Sequence, residues 1–418
     1  MLPSTPPVPV VHAERFASIQ DAIDSLPPSG GTVVLQSRTY AIAHPLTVPS
    51  HVALRGQGDA TVLRLSAHCD APAIVNAHYG GGSDRGIRLS GLAIDGNRAQ
   101  QETQMPLVFL DHVSACTLDH LTVQHGIADG VQLRHADHVV IRDGRFCDNG
   151  LTDRWVASGI ALNGECNDDT ITHNVCSHNN FGRNWALYPD DGNGIRIGDD
   201  CARNTVTFNV CDDNGRRGIK VQGAFNAVTD NTLAGNTGHS LLVGGLVCQG
   251  NLIARNHIRA HDDAAMLITA AATPGDGTYG NIVRDNVLEG GTYGIEVGWG
   301  AHSNQLIGNV ITGAGLHGIF LRGSSQNLVA SNRISDSGTR VSANAIDIQA
   351  YGGRPALHNV VKFNRCTDQR KDKRQAFGVK TEPGCDYTQV FGNDLRGNRF
   401  SPGLQLSGPH DRAWNNQD

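Results

Sequence analysis

The sequence predicts an all-β fold, a single-stranded right-handed parallel β-helix with an N-terminal capping helix. Three observations predict it: a spaced asparagine repeat, a short alternating strand after each copy, and a composition rich in glycine but poor in aromatic residues. The repeat is the strongest of these. Asn204-Thr-Val-Thr-Phe-Asn209-Val-Cys211 recurs as Asn226…Asn231-Thr-Leu233 and Asn251…Asn256-His-Ile258, and continues from Asn281, Asn304, Asn327 and Asn359. The leading asparagines stand 22, 25, 30, 23, 23 and 32 residues apart. Short strands follow, among them Gly194-Ile-Arg-Ile, Gly218-Ile-Lys-Val, Gly294-Ile-Glu-Val, Gly318-Ile-Phe-Leu and Ala345-Ile-Asp-Ile. Their period-two alternation buries one face, and only stacking of coils, about 4.8 Å apart, can bury it.

The composition agrees. Fifty glycines in 418 residues, 5% aromatic content and the lack of a linker-like stretch predict one extended domain rather than several. Its cap and first coil are expected at about 12–50, its repeated coils at 51–382 and a closing tail at 383–418. The run Phe16-Ala-Ser-Ile19-Gln20-Asp-Ala-Ile23-Asp-Ser-Leu26 has helical apolar spacing and stops at Pro27-Pro28, so it predicts the helix that covers the open end.

The asparagines read as turn residues that tolerate the left-handed conformation and as a ladder hydrogen-bonded between coils. Cys176, Cys211 and Cys366 fill slots held elsewhere by Leu233, Ile258, Leu288, Ile311 and Ile334, so they are expected to be interior thiols. No Cys-x-x-Cys spacing occurs, and no zinc or redox centre is expected. A net charge of −6 gives no basic field for nucleic acid. No apolar run reaches the roughly 18–20 residues of a membrane span. The start, Met1-Leu2-Pro3-Ser4-Thr5-Pro6-Pro7, does not read as a signal peptide. The expected compartment is therefore the cytoplasm, or the outside of the cell if a leader has been removed.

Ser18-Ile-Gln-Asp-Ala-Ile23, Gly30-Gly-Thr-Val-Val-Leu35, Tyr40 and Leu54-Arg-Gly-Gln-Gly58 resemble the start of many pectate-lyase-like β-helix proteins. Leu92-Ala-Ile-Asp95-Gly96-Asn97, and Val140-Ile-Arg-Asp143 followed by Asp148-Asn149-Gly150-Leu151, are similar to the catalytic modules of mannuronan C5-epimerases. In that family a Tyr-Gly-Phe-Asp-Pro-His segment supplies the catalytic Tyr, Asp and His. The corresponding residues here are Asp129-Gly130-Val131-Gln132-Leu133-Arg134, and the acidic residue of the next coil is replaced by Asn163. The resemblance thus implies a uronate groove whose chemistry rests on other side chains.

Candidate residues come from the outward positions of the alternating strands. One column reads Gln132, Ala161, Arg196, Lys220, Leu242, Leu267, Glu296, Phe320, Asp347 and Lys380; its neighbour includes Arg134, Asn163, Gln222, Arg322 and Glu382. Arg196 and Lys220 are predicted on adjacent rungs, and two adjacent cations suit a carboxylated sugar. Arg196 would neutralise the carboxylate, and Lys220 would take the C5 proton for β-elimination or epimerisation. Arg134, Asn163, Gln222 and Glu296 are expected to bind substrate. Trp155, Trp185 and Tyr188 in two loops, with Tyr279 and Tyr351, are expected to wall the groove and stack on sugar rings.

The acidic pairs Asp190-Asp191 and Asp199-Asp200 offer a hydrolytic carboxylate, through Asp191 or Asp199, or a Ca²⁺ site. Solvated turn residues are the simpler reading of the same pairs, and no other cofactor is expected. His239 and His261 each precede a groove strand as acid/base candidates. The leading expectation is an enzyme acting on an anionic glycan by elimination or epimerisation. Its competitors are a glycoside hydrolase or intramolecular glycosyl transferase, a small-molecule cyclase or isomerase, and a non-catalytic glycan- or partner-binding scaffold. Leu242, Leu267 and Phe320 in the outward column fit either a small-molecule pocket or a contact between copies of the chain.

Overall fold

The computed structural model describes residues 8–150, 157–180, 192–270 and 277–418. Its contacts divide the chain into two compact units, residues 1–196 and 197–418. Each is a stack of parallel strands.

In the first unit, Ser18 caps the helix Ile19–Asp24 by accepting the Asp21 N–H, and Ile19, Ala22 and Ile23 are buried. One wall is built from strands such as Gly31–Val34, Val52–Leu65, Arg88–Asp95 and Thr117–Gln124, each paired in parallel with the next. A second wall runs through Leu46–Val48, Ile74–Asn76, Val108–Ser114, Val131–Asp137 and Ser158–Asn163. The second unit repeats the plan. Its second wall carries Arg217–Val221, Leu241–Val243, Met266–Thr269, Ile295–Gly298, Ile319–Arg322, Ile346–Gln349 and Val379–Thr381 in register. Coils continue past residue 383, where Val379 pairs with Leu404 and Gln389 with Arg412.

Gly218, Gly294 and Gly318 open groove strands for a packing reason. A Cβ there would stand 2.6 Å from Leu233, 2.4 Å from Ile311 or 2.3 Å from Ile334, so the apolar side chains of the opposite wall exclude it.

Two asparagine ladders run through the second unit. One joins Asn204, Asn226, Asn251, Asn281, Asn304, Asn327 and Asn359, each Nδ2 donating to the next Oδ1 over 2.9–3.3 Å. The other runs from Asn209 through Asn231, Asn256, Asn286, Asn309, Asn332, Asn364 and Asn393 to Asn416. The ladder is as expected, but the left-handed backbone is not at the asparagines. It falls on the residue just before each one, including Phe208, Phe225, Arg255 and Phe363, with φ between 54° and 57°. Asparagine holds these slots because its amide both donates and accepts, which a buried stack requires. The ten cysteines are free thiols, and Cys176, Cys211 and Cys366 are fully buried in the slots assigned to them.

Asn286 illustrates the energetics. Its Oδ1 accepts the Asn256 N–H and Nδ2, and its Nδ2 donates to Ile253 O and Asn309 Oδ1. Asn286→Ala strands two buried donors and two acceptors. We expect a loss of about 2–4 kcal/mol in urea unfolding, and a loss below about 1 kcal/mol would refute the ladder's role.

Candidate functional site

Between its half-buried ends, Lys220 and Lys380, the outward column of the second unit is not solvated. Leu242, Leu267, Glu296, Phe320 and Asp347 are all less than 9% exposed. Two of these buried residues are acids, which makes this floor the candidate site.

Glu296, Phe320 and Asp347 follow one another on successive rungs, and Lys380 is next after Asp347. Burial raises the Glu296 carboxyl above its ordinary range, opposed by Arg322, whose Nη1 lies 3.3 Å from Oε1. Arg322 is itself packed against rings: its guanidinium carbon is 3.4 Å from the centre of Tyr351 and 5.4 Å from that of Trp299. Asp347 is pushed up to about 6, first by burial and further by the nearby charge of Glu382, while the Asn344 hydrogen bond and Lys380 pull it back. Asn344 Nδ2 donates to Asp347 Oδ1 over 2.6 Å. Lys380 Nζ sits 2.6 Å from Glu382 Oε1.

An aromatic group borders the floor. Phe320 packs 5.0 Å from Tyr293 and 5.1 Å from His317, ring centre to ring centre. Burial drives His317 down to about 4, so it is neutral near pH 7. Its Nδ1 accepts the Asn344 N–H, which places its proton on Nε2 as a donor. Farther down the stack, burial likewise lowers His239, whose Nδ1 is 3.2 Å from Asp263 Oδ1.

The expected site residues are distributed differently. Asp199 is a turn clamp: Oδ2 accepts Gln222 Nε2 at 3.0 Å and Oδ1 accepts the Leu246 N–H at 2.8 Å. Lys220 is half-buried on the strand Arg217–Val221, in register with Leu242, on the same column as Glu296. Arg196 ends the first unit and donates Nη2 to Asn163 Oδ1 at 2.8 Å. The pair predicted between Arg196 and Lys220 therefore falls on different units. Arg134 grips the fully buried Asp111 through two bonds, Nε to Oδ1 at 3.0 Å and Nη2 to Oδ2 at 2.6 Å. Trp155, Trp185, Tyr188 and Asp191 lie outside the described residues.

Sequence reasoning named Glu296 but passed over Asp347, Arg322, His317, Tyr293 and Trp299 as site residues. For His317 a signal existed. It holds the slot directly before Gly318-Ile-Phe-Leu, the slot taken by Tyr293 and Asn344 on adjacent rungs.

No curated protein matches the chain by sequence. The family described as "Right handed beta helix region" matches residues 106–311, and "Periplasmic copper-binding protein (NosD)" matches 275–418. Among the described residues, no group of three His, Cys, Asp or Glu side chains within 275–418 converges closely enough to share an ion. The donor set of that segment thus does not fit a copper centre of its own. Among solved structures, the A-module of the Azotobacter vinelandii mannuronan C-5 epimerase AlgE6 is 17% identical, with 97% of this chain and 98% of that one covered and a TM-score of 0.51. The tailspike protein of E. coli bacteriophage HK620, in complex with pentasaccharide, is 12% identical over 94% of this chain and 76% of that one, with a TM-score of 0.65. Bacteriophage phi29 gene product 12 is 12% identical over 96% and 57%, with a TM-score of 0.68. The chain folds as a right-handed parallel β-helix, similar in fold to an epimerase module, a phage tailspike and a further bacteriophage protein.

Proposed function

We propose that the protein is a carbohydrate-active enzyme that cleaves a glycosidic bond with Asp347 as general acid and Glu296 as general base. One observation carries this reading: two buried acids stand two rungs apart across an aromatic platform, both raised by burial, but Glu296 alone is paired with an arginine. Asp347, held near 6 by burial, keeps its proton up to about that pH to give to a leaving oxygen. Glu296, beside Arg322, is the group the ion pair favours as carboxylate. Two rungs are roughly 9–10 Å along the stack, on the order of the gap that leaves room for an attacking water in inverting hydrolysis. Phe320 stands between them, packed against Tyr293 and His317, and Nε2 of His317 is a donor beside it. The glycan-bound tailspike and the epimerase module support a sugar as ligand by analogy of fold.

Elimination from a uronate is the second reading, and Arg196 favours it. Its Nε is buried and has no hydrogen-bond partner among the described residues, the state of a guanidinium prepared for a carboxylate. In that reading Asn163, which already accepts an Arg196 hydrogen bond, positions the sugar.

The test is to incubate the protein with alginate, polygalacturonate, other uronic glycans and fructans while following reducing ends and ultraviolet absorbance together. New reducing ends without absorbance support hydrolysis. Absorbance that Arg196→Ala abolishes establishes elimination instead, and silence in both channels on every glycan overturns both readings.

A further inference from the structure

The first unit holds a cluster that the proposed reaction does not use. Asp111 lies on the strand Val108–Ser114 and Arg134 pairs with it in register on Val131–Asp137. In a regular strand the next residue would point to the opposite side. Here His112 and His135 take left-handed backbone, φ 53° and 49°, and that kink keeps both imidazoles on the outer side with the carboxylate. The two rings stack at 4.2 Å between centres and 25° between planes. Both Nδ1 atoms face one oxygen, Asp111 Oδ1, at 2.9 Å from His112 and 3.1 Å from His135. The three ligand atoms lie within 4.8 Å of one another.

We infer that Asp111, His112 and His135 form a transition-metal site of two imidazole nitrogens and one carboxylate oxygen. The two oxygens of Asp111 have different surroundings. Oδ2 is held by Arg134 Nη2 at 2.6 Å and by the Gly80 N–H at 3.1 Å. Oδ1 faces the histidines and also accepts Arg134 Nε at 3.0 Å. The Oδ2 contacts fix the carboxylate as second-sphere partners do in metal centres, and an ion at Oδ1 would take the place of the Arg134 Nε bond while Nη2 keeps Oδ2.

Metal entry needs both Nδ1 atoms free of protons, which shift to Nε2 or leave to solvent. The histidine side chains are 47% and 36% exposed, so the open side leaves coordination positions for water or a ligand. Ligand type selects the ion. Two imidazoles and one carboxylate suit Cu²⁺, Ni²⁺ or Zn²⁺, whereas Ca²⁺ calls for six to eight oxygens. The positive charge of Arg134 offsets that of Asp111, which disfavours ions bound by charge alone and further favours those that bond strongly to nitrogen.

Titration calorimetry of the whole chain with Cu²⁺, Ni²⁺ and Zn²⁺ in turn, with Ca²⁺ as control, tests this. The expected result is a single one-equivalent phase for a transition metal and none for Ca²⁺. His112→Ala and His135→Ala should each weaken that phase more than about tenfold. Both side chains are partly exposed, so the variants are expected to keep the parent melting temperature. In the Cu²⁺ form, nitrogen coupling in the electron-resonance spectrum should drop by one nitrogen in each variant. His120→Ala, in a separate group with Asp119 and Asp143, should leave the phase intact. A one-equivalent phase that survives the double His112→Ala, His135→Ala change, or the lack of any such phase, overturns the assignment.

Discussion

Asp347→Asn is expected to lower glycosidic cleavage by ~10²–10⁴-fold, the usual contribution of a positioned general acid. The change is nearly isosteric, and Oδ1 of the new amide can still accept Asn344 Nδ2, so the hydrogen bond that fixes the side chain survives. What disappears is the transferable proton. The pH profile separates this role from a structural one. In the parent protein the Asp347 carboxyl, pushed up to about 6, must be protonated to act, so the rate should fall as pH rises through about 6. That limb should be missing from the residual activity of Asp347→Asn. Stability should move the other way. A buried carboxyl that resists ionisation weakens the native state increasingly as pH rises from the unfolded value of about 3.9 to the folded value. The uncharged variant should therefore melt no lower than the parent above pH 6. A variant that loses activity and also melts far lower, with the alkaline limb unchanged, would remove Asp347 from the reaction. Glu296→Gln should also lower turnover steeply but keep that limb in its residual activity, because Glu296 beside Arg322 is assigned to the opposite half of the proton transfer.

The contrast between Asp347 and Asp199 shows how far the sequence could be read. Fold and register were legible because they rest on short-range chemistry: period-two strands, glycines where the opposite wall leaves no room for a Cβ, and asparagines at a fixed interval. The outward column was therefore assigned correctly, rung by rung, in the second unit. Burial on that column was not legible. It depends on side chains such as Tyr351 and Trp299, which reach over from turns of variable length to hold Arg322. Asp347 thus stood only as one member of the outward column, although its surroundings raise its carboxyl to about 6. Asp199 stood out as one of an acidic pair, yet both its oxygens are spent on a turn and on Gln222. Arg134 likewise was expected to meet substrate, while its guanidinium is committed to an aspartate one rung away that carried no motif.

A second large effect should come from the ladder slot in which the amide is replaced by an acid. Asp169 Oδ1 accepts the Val139 N–H at 2.7 Å, the bond that Asn174 Oδ1 makes with the Gly144 N–H and Asn226 Oδ1 with the Asn204 N–H. At the asparagine slots the Nδ2 also donates to a buried carbonyl, as Asn174 does to Ile141 O and Asn179 to Phe146 O. An ionised aspartate has no proton to donate, and this one is only 1% exposed. Burial accordingly pushes Asp169 up to about 7, so it enters the native state protonated at mildly acid pH. The consequence for stability has a definite sign. Below about pH 4 the carboxyl is protonated in both states and costs nothing. Between about 4 and 7 the folded chain binds the extra proton, so native stability falls as pH rises, and above 7 the loss levels off. Held at about 7 against about 3.9 when unfolded, the group withholds roughly 4 kcal/mol at its plateau. Asp169→Asn restores the donor and removes the titration. It should leave stability at pH 4 nearly unchanged and raise it by roughly 2–4 kcal/mol at pH 8 in urea unfolding. An equal gain at both pH values would mean that the amide packs better but that the parent carboxyl is not the source of the loss. A decrease at pH 8 would mean that the ionised aspartate is stabilised in its slot, and the account of burial given for Asp169 would be wrong.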